Sequence, residues 1–294
     1  MSDISVLFGF DCETDVGSWT PFYEGLQHGT PRLLRLCEEK GITGTYYFTG
    51  EAAHEYPAIV REVAAAGHEV GTHSLQHETV GDAIFDIPGV RPILPEEVPL
   101  RLQRATEYVA EALGEQPVSW RCPRLWGSTA VCNALDAMGY VSDASYPMYH
   151  YVDRLVPYHP SRTDWTQEGD LDLVQIPNFA DLSIDSTDPY GRDRDQWPLW
   201  RTESADALLR HIDAFVGYVD QRNLPAVLCF YFHPWEFWPM PSEFDFGEGK
   251  VTPNPFIVKN CGDYATEQLA VLIDRLQERG ATFTTARDLA AAWS

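Results

Sequence analysis

Residues 54–77 read HEYPAIVREVAAAGHEVGTHSLQH, and this stretch decides which fold the chain can adopt. A helix is predicted from Pro57 to Ala66, because proline in the first turn and glycine just beyond the last turn are typical helix boundaries. After Gly67, the segment from His68 to Gly71 reads as a short strand that breaks into a polar turn. A helix that leads straight into a strand is the repeating unit of a parallel sheet.

The same alternation continues on both sides of this stretch. Short β-branched and aromatic runs predict further strands at Ser5 to Phe10, Thr43 to Phe48, Val118 to Arg121, Tyr140 to Asp143, Leu173 to Pro177, Ala226 to Phe232 and Thr282 to Thr284. Periodicity and boundary residues predict a helix after Thr30 as N-cap and further helices at Pro95 to Leu113, Thr129 to Met138, Ser204 to Asn223 and Thr266 to Arg279. This rhythm predicts an α/β fold, with a mostly parallel sheet covered by helices.

The whole chain, residues 1–294, is expected to form one domain. A length of 294 residues would suit two average domains, yet closed α/β barrels exceed that average as single units. No internal repeat and no low-complexity linker marks a boundary. Long loops are expected at 81–99, 147–201 and 237–262, and such loops usually form a functional rim or a contact between subunits. Both roles, and with the second a homo-oligomer, remain open at this point.

The charge of the chain argues against two classes of partner. The sequence has 44 acidic and 21 basic residues, a formal net charge of −23. A surface of this sign repels phosphate backbones and anionic lipids, so neither nucleic-acid binding nor membrane binding is expected. The first residues lack the basic and apolar regions of a signal peptide, and no run reaches the roughly eighteen apolar residues of a membrane span. A cytoplasmic location is therefore expected, with the six scattered cysteines as free thiols.

Polar clusters follow the ends of predicted strands, where ligands collect in barrels and in open α/β sheets. The first cluster is DCETD at residues 11–15. If the strand continued, Asp11, Glu13 and Asp15 would share one face, and their like charges would raise one another's pKa. A divalent metal ion or a nearby arginine would remove that cost. The alternative is a solvated acidic turn.

The second cluster is the pair His73 and His77. Two histidines four residues apart on a helical turn share a face and can bind one metal ion. With a carboxylate from Glu13 they would form the two-imidazole, one-carboxylate set of a catalytic zinc-type site with an open position. Taken alone, the H-x-x-x-H spacing also arises by chance.

The third cluster combines RCPR at 121–124 with FHPWE at 232–236. Arg121 is suited to hold a carboxylate with its planar fork. His233 ends the most apolar predicted strand and is either a core histidine or a functional one. Tryptophans beside these motifs would stack on a sugar face or a flat heterocycle, or would simply pack; they are Trp126, Trp235 and Trp238.

Together these segments resemble the polysaccharide deacetylase family, also called the NodB-homology or carbohydrate esterase 4 group. GHEVGTHSLQH is similar to the family's H-[ST]-x-x-H metal motif with its lead-in strand. Further segments resemble the other motifs in order along the chain: GFDCETDVG, WRCPRLWG, SDASYP, YFHPWEF and GATFTTARDLA. The resemblance covers nearly the whole chain. It implies a distorted (β/α)7 barrel that uses a divalent metal ion to hydrolyse an amide, typically the N-acetyl group of a sugar.

The resemblance also implies roles for single residues. By position these are Asp11 as general base, fixed by Arg121; Glu13, His73 and His77 as metal ligands; and His233 as general acid, oriented by Asp143. A main-chain N–H near Arg124 would bind the oxyanion, and the candidate substrate contacts are Arg124, Trp126 and Trp235. Zinc is the expected ion, although cobalt, nickel, manganese and iron also suit this ligand set.

Two departures from the family pattern leave the substrate open. Glu13 stands where the family usually has aspartate, so Asp15 is an alternative ligand. The first motif also lacks the Asp-Asp-Gly of secreted chitin and peptidoglycan enzymes, which favours the cytoplasmic branch with relatives acting on lipid-linked sugars, intracellular peptidoglycan-like substrates, allantoin and cyclic imides. Three functions are therefore weighed: deacetylation of an N-acylated sugar, hydrolysis of a small cyclic amide or imide, and non-catalytic carbohydrate binding. The complete set of base, acid and ligands favours the first two.

Overall fold

The computed structural model describes residues 3–293, and its centre is a barrel of parallel strands. The strands of the described residues are β1 Ile4–Cys12, β2 Thr45–Phe48, β3 Glu69–Thr72, β4 Ser119–Trp120, β5 Ser142–Pro147, β6 Val174–Asn178, β7 Ala226–Phe232, β8 Phe244–Asp245, β9 Lys250–Val251 and β10 Thr282–Thr284. Strands β8 and β9 form a separate antiparallel pair. The other strands pair in parallel.

Helices cover the outer face of the barrel. They are α1 Asp15–Ser18, which is a single irregular turn, α2 Thr30–Lys40, α3 Gly50–Glu55, α4 Pro57–Ala65, α5 Val98–Leu113, α6 Thr129–Ala137, α7 Met148–Tyr151, α8 Leu199–Thr202, α9 Ala205–Asp220, α10 Pro255–Val258, α11 Asp263–Glu278 and α12 Ala286–Ala291. The helix over α4 ends as the sequence predicts, because Gly67 adopts a left-handed φ of 85° two residues beyond it.

Strand β1 closes the barrel because it pairs with three other strands. It pairs with β7 from Ile4 opposite Ala226 to Phe10 opposite Phe232. On its other edge, the first half of β1 pairs with β10 and the second half with β2. Strands β1 to β7 therefore form a closed ring, which confirms the expected (β/α)7 barrel. The ring is distorted where β3 meets β4 and where β6 meets β7, because each of these contacts has one registered pair.

The strands alternate between an inner and an outer face, as the period of two requires. On β1, Leu7 packs in the interior cluster with Ala144 of β5 and Val227 of β7, whereas Phe8 and Phe10 pack outward against the helical layer. Helix α12 contributes to the same interior cluster and fills the barrel near the starts of the strands. The carboxyl ends of the strands are thereby left for polar side chains.

Two helix starts differ from the sequence prediction. Thr30 is the first residue of α2 and not its N-cap, because a π-helical turn over Gly25–Gly29 runs directly into the helix. Helix α3 was not predicted from the sequence, because its six residues are too few to show periodicity. The side chain of Thr49 caps that helix by accepting the N–H of Ala52.

Two further features bear on the sequence expectations. Within residues 3–293, no helix combines the length and the apolar character needed to cross a lipid bilayer. All six cysteines are free thiols, and five of them are buried.

Candidate active site

Asp11, near the carboxyl end of β1, lies inside the barrel beside Arg121. Arg121 Nη1 donates to Asp11 Oδ1 over 2.9 Å, and both side chains are buried. Arg121 is fixed in turn, because Nε donates to the main-chain oxygen of Ala144 and Nη2 to that of Phe230, each over 3.2 Å. Its guanidinium also lies 4.5 Å from the centre of the Tyr47 ring. A cation that is held on all sides therefore fixes the carboxylate of Asp11.

Gly9 makes this pairing sterically feasible. It lies two residues before Asp11 and so shares the inner face of β1. A Cβ atom at Gly9 would lie 2.1 Å from Arg121 Nη1, far inside van der Waals contact. Only glycine leaves room there for the guanidinium.

Glu13, His73 and His77 come together at the same end of the barrel. His77 Nε2 lies 2.6 Å from Glu13 Oε2, and His73 Nε2 lies 3.4 Å from the same oxygen. One potential ligand atom of each residue lies within 4.8 Å of the others, and all three side chains are buried. Asp11 borders this group, with Oδ2 4.0 Å from His73 Nε2.

The two histidines share a face through a turn and not through a helix. After β3, residues 73–77 form a turn in which Ser74 and His77 have positive φ angles of 64° and 59°. The expectation of a helical turn is therefore wrong, although both imidazoles are directed at one carboxylate. Positive φ is costly for residues other than glycine and persists where surrounding contacts impose it, often at functional sites.

The three residues fit a divalent metal ion. Both carboxylate oxygens of Glu13 are buried, and neither makes a hydrogen bond of good geometry to the described residues. His73 Nδ1 lies 2.8 Å from the main-chain oxygen of Arg121, and His77 Nδ1 contacts the Ser18 hydroxyl. These contacts leave each Nε2 for Glu13 and a metal ion, as is usual for metal-binding histidines.

The charge of Glu13 is consistent with that assignment. Burial by itself would raise its pKa, but His77 and His73 hold the pKa of this carboxyl well below its usual range. The carboxylate is therefore ionised. A buried carboxylate of this kind is stable only with a compensating cation or strong hydrogen bonds.

Asp15, the alternative ligand, does not belong to the cluster. Its carboxylate accepts the main-chain N–H of Gly25 over 2.9 Å and that of Glu24 over 3.0 Å. Burial raises the pKa of Asp15 to about 6, although these two N–H groups act in the opposite direction. Strand β1 ends at Cys12, so the alternation that would align Asp15 with the other two carboxylates stops there. Asp15 organises the loop, and Glu13 faces the histidines.

His233 follows β7 and lies on another side of the cluster, with Nε2 3.9 Å from Glu13 Oε1. Glu236 Oε1 lies 3.0 Å from His233 Nδ1 and accepts the main-chain N–H of His233 over 2.9 Å. The other carboxylate oxygen of Glu236 accepts from Arg201 Nε over 2.6 Å, and both of these side chains are fully buried. Trp197 Nε1 also donates to Glu236, over 3.0 Å. His233 is thus held by a buried ion pair.

The expectation that Asp143 orients His233 is wrong. Ala144 takes the interior position on β5, so the alternation sends Asp143 to the outer face of the barrel, where the Cys132 thiol of α6 lies 3.8 Å from it. Burial there raises the pKa of Asp143 to about 7. The sequence did contain a signal for the actual partner, because Glu236 stands three residues after His233 in FHPWE.

The candidate residues open into one cavity of about 260 Å³. Its polar floor consists of Asp11, Glu13, His73, His77 and His233. Its wall is mostly aromatic and aliphatic and comes from loops that follow four strands: Trp19 after β1, Phe85 and Ile87 after β3, Arg192 and Trp197 after β6, and Ile257 of α10 after β7. Each of the three long loops expected from the sequence contributes to this wall.

Of the two tryptophans expected to contact a substrate, only Trp235 lines the cavity. Its ring stacks on His233 with 4.9 Å between the ring centres. Trp126 is buried outside the cavity, edge-on against Phe85 at 5.1 Å, so the expectation for Trp126 is wrong. The 3₁₀ turn over Pro123–Leu125 turns the two residues before Trp126 toward the cavity instead. Trp19 and Trp197, which do line the cavity, lie in irregular segments that carry no periodic signal.

Arg124, the third candidate substrate contact, does line the cavity. Its Nη1 donates to the main-chain oxygen of His77 over 3.2 Å and to Thr79 Oγ1 over 3.3 Å. Burial lowers the pKa of Arg124, and the nearby Glu13 offsets this only in part.

The chain resembles known proteins in sequence over part of its length. A model of the family described as polysaccharide deacetylase matches residues 13–142. Peptidoglycan-N-acetylmuramic acid deacetylase PdaA of Bacillus subtilis is 27% identical over 120 residues, and the match covers 34% of this chain and 44% of PdaA. Peptidoglycan deacetylase of Helicobacter pylori is 25% identical over 214 residues, and the match covers 64% of this chain and 68% of that protein. The chain spans about a third to a half of the length of several curated relatives that it matches.

Solved structures resemble the chain over nearly all of its length. Puue allantoinase has a TM-score of 0.65 at 16% identity, covering 99% of this chain and 90% of its own. A CE4 family pseudoenzyme from Bacillus anthracis has a TM-score of 0.54 at 14% identity, covering 98% of this chain and 66% of its own. At these identities the likeness concerns the fold alone.

Fold and site together define a class, the NodB-type (β/α)7 barrels, here with a candidate two-histidine, one-carboxylate metal centre at the carboxyl ends of the strands. Residues 13–142 match the polysaccharide deacetylase family, as the motifs in this part of the chain predicted. The residues that match the family model include the three residues of the candidate metal centre and Arg121, whereas Asp11 and His233 lie outside the matched range.

Proposed function

We propose that the chain is a metal-dependent hydrolase of C–N amide bonds, with the N-acyl group of a sugar as its first candidate substrate. The observation that carries this proposal is the placement of the Glu13, His73 and His77 cluster against both Asp11 and His233. Amide hydrolysis needs a proton acceptor for water and a proton donor for the leaving nitrogen. The names of matched relatives, deacetylases of peptidoglycan and of chitooligosaccharide, support N-acylated sugars as substrates.

Glu13, His73 and His77 would hold a divalent ion, with zinc as the first choice and cobalt, nickel, manganese or iron as alternatives. When bound, such an ion polarises a carbonyl group and lowers the pKa of a coordinated water to about 7. The chain's own residues then have to orient the amide, accept one proton and deliver another.

Asp11 is suited to accept the proton of the attacking water. Arg121 favours its ionised form, because the two side chains form a buried ion pair. Arg121 occupies Oδ1, so Oδ2, which lies on the side of His73, is the oxygen that takes the proton.

His233 is suited to protonate the leaving nitrogen. Glu236 engages Nδ1, so Nε2, which lies on the Glu13 side, is the atom that delivers the proton. The stacked ring of Trp235 limits the rotation of the imidazole. Without this proton the nitrogen would have to leave as a strongly basic anion, which is unfavourable.

A small cyclic amide or imide is the second candidate substrate, and the cavity favours it. The cavity volume of about 260 Å³ lies below the roughly 300–1,000 Å³ that is typical of small-molecule pockets. Aromatic rings such as Trp19 and Trp197 in its wall would stack on a flat heterocycle as readily as on a sugar.

Non-catalytic carbohydrate binding is the third function that we weigh. A binding protein needs neither a proton acceptor nor a proton donor beside a metal centre. The chain has candidates for both, which supports an enzyme.

The test combines metal analysis with two product assays. Zinc-loaded protein is incubated with N-acetylglucosamine oligomers and with cyclic imides, and acetate and ring-opened acids are quantified. Asp11→Asn should abolish turnover while zinc stays bound, and Asp15→Asn is the matched control that should keep both. Activity of Asp11→Asn within tenfold of wild type would refute the assignment of the base. Bound zinc without turnover of any substrate would support the third function.

A further inference from the structure

We propose that the substrate of this site carries a carboxylate beside its amide bond, and that Arg124 binds this carboxylate. The inference rests on the proposed amide hydrolase function and adds the chemical class of the substrate.

Arg124 is a half-buried cation in the cavity wall without an anionic partner. Every Asp and Glu residue of the chain lies within residues 3–293, and none places a carboxylate oxygen within 4.0 Å of the Arg124 guanidinium. The lack of a partner is not due to a shortage of carboxylates, because the chain contains 44 acidic residues. Burying part of a guanidinium without an ion-pair partner costs free energy. A ligand is therefore the natural source of the missing negative charge.

The hydrogen bonds of Arg124 leave one edge of its guanidinium free. Nη1 is occupied by the main-chain oxygen of His77 and by the hydroxyl of Thr79. Nε and Nη2 have no hydrogen-bond acceptor among the described residues, and neither atom is sealed from solvent. These two nitrogens form the edge that binds both oxygens of a carboxylate.

Arg124 lies next to a residue of the candidate metal centre. Arg124 is bonded to the main chain of His77, whose imidazole lies 2.6 Å from Glu13. A carboxylate on Arg124 would therefore lie beside the floor where the amide is expected. The substrate would therefore need both a carboxylate and an amide, separated by a few bonds.

Arg192, the other arginine in the cavity wall, does have an anionic partner. Arg192 Nη1 lies 2.9 Å from Asp195 Oδ2, and its guanidinium lies 4.9 Å from the centre of the Tyr149 ring. Arg192 is neutralised by its own neighbours and serves the packing of the wall. Arg124 is thus the cation that remains to select a charged substrate.

The walls restrict the size of that substrate. Trp19, Phe85, Trp197 and Ile257 surround a cavity of about 260 Å³. The fitting class is a small acid that contains an amide: an N-acylated amino acid, a carboxylated cyclic amide, or an N-acylated sugar acid.

A binding experiment tests the charge of Arg124 without turnover. Succinate, a small dicarboxylate, and neutral succinamide are titrated by calorimetry into metal-free and zinc-loaded protein. Wild type should bind succinate in preference to succinamide, Arg124→Gln should bind succinate at least tenfold more weakly, and Arg61→Gln, a change at an exposed arginine, should behave as wild type. Zinc affinity within threefold in all variants shows that the metal centre is intact. Equal succinate affinity in wild type and Arg124→Gln, or no binding by either, overturns the inference.

Kinetics with matched substrates give the second readout. The pairs are N-acetylmuramic acid with N-acetylglucosamine, and dihydroorotate with dihydrouracil, which differ by a carboxylate-bearing group. Wild type should favour the charged member at least tenfold in kcat/KM, and Arg124→Gln should reduce that ratio to about one. An equal loss on both members overturns the inference, because Arg124 would then only position the turn of His77. Absence of zinc binding or of all turnover counts against the proposed function instead, and the succinate titration of metal-free protein then decides the inference.

Discussion

Glu236 holds His233 twice through a single oxygen: Oε1 lies 3.0 Å from the ring Nδ1 and 2.9 Å from the main-chain nitrogen of the same histidine. The ring and the backbone of His233 are therefore fixed together. Arg201 compensates the charge of Glu236 from the other side, at 2.6 Å.

Glu236→Gln should lower kcat by roughly 10–100-fold, because partners that orient a functional histidine contribute at this level. The change also leaves Arg201 buried without an anion, which costs about 3–5 kcal/mol of stability. The double variant Glu236→Gln/Arg201→Met should not recover stability, because Arg201 also binds the main-chain oxygens of Phe256, Ile257 and Lys259. Steady-state kinetics of both variants measure kcat, and urea unfolding measures their free energy of unfolding.

Asp143→Asn is the matched control for this prediction, since Asp143 faces the outside of the barrel. Its kcat should stay within threefold of wild type. A large loss in Asp143→Asn together with a normal Glu236→Gln variant would reverse the two assignments.

Glu13→Gln should weaken zinc binding by about 100-fold or more, because the only carboxylate of the cluster loses its charge. Glu13→Asp should keep part of the affinity, and Asp15→Asn should keep all of it. Zinc titration against a competing chelator measures the three affinities. Equal losses in Glu13→Gln and Asp15→Asn would show that the carboxylates share the ion.

The buried carboxyl of Asp143 should make stability depend on pH. Burial raises its pKa from 3.8 to about 7 in the folded chain, so the folded state binds the proton more tightly than the unfolded state. Between pH 4 and pH 7 the folded state therefore holds more protons, and this contribution to stability falls as pH rises and levels off above pH 7. The fall is at most about 4 kcal/mol.

Urea unfolding of wild type and Asp143→Asn at a series of pH values isolates this contribution. The difference in free energy of unfolding between the two proteins should change with pH in this window and be constant above it. A difference that does not change between pH 4 and pH 7 would mean that Asp143 is ionised throughout.

Gly9→Ala should destabilise the barrel by about 3 kcal/mol or more, because the new methyl group overlaps the Arg121 guanidinium and disturbs its buried pair with Asp11. Turnover should fall as well. Gly217→Ala in α9 is the control: its Cβ would meet no atom within 4 Å, so the change should stabilise by up to about 1 kcal/mol. Thermal unfolding of the two variants, with opposite signs expected, checks this prediction.

The order of strands and helices could be predicted from the sequence because local signals define it. Proline and glycine at helix ends and β-branched or aromatic runs in strands act over a few residues, and β7 was predicted with its observed bounds. The residues of the metal cluster could also be predicted from the sequence, because the carboxyl ends of the strands in a parallel barrel meet at one edge.

The direction of individual side chains could not be predicted in the same way. The register of β5 shifts between Asp143 and Tyr146, and which face Asp143 occupies depends on that irregular strand. The left-handed residues of the turn at His77 depend on tertiary contacts such as the one with Ser18. Trp126 is excluded from the cavity by the long loop that places Phe85 against it. Each of these features depends on residues distant in sequence.

Arg201 has a consequence for redesign of the cavity. Besides Glu236, it binds the main-chain oxygens of Phe256, Ile257 and Lys259, in and beside the helix that brings Ile257 to the cavity. Grafting a different segment there to admit a bulkier compound would remove acceptors of Arg201 and so loosen the support of His233, the proposed proton donor. Phe85 and Ile87 have no such connection among the described contacts, so engineering of this wall should begin with them.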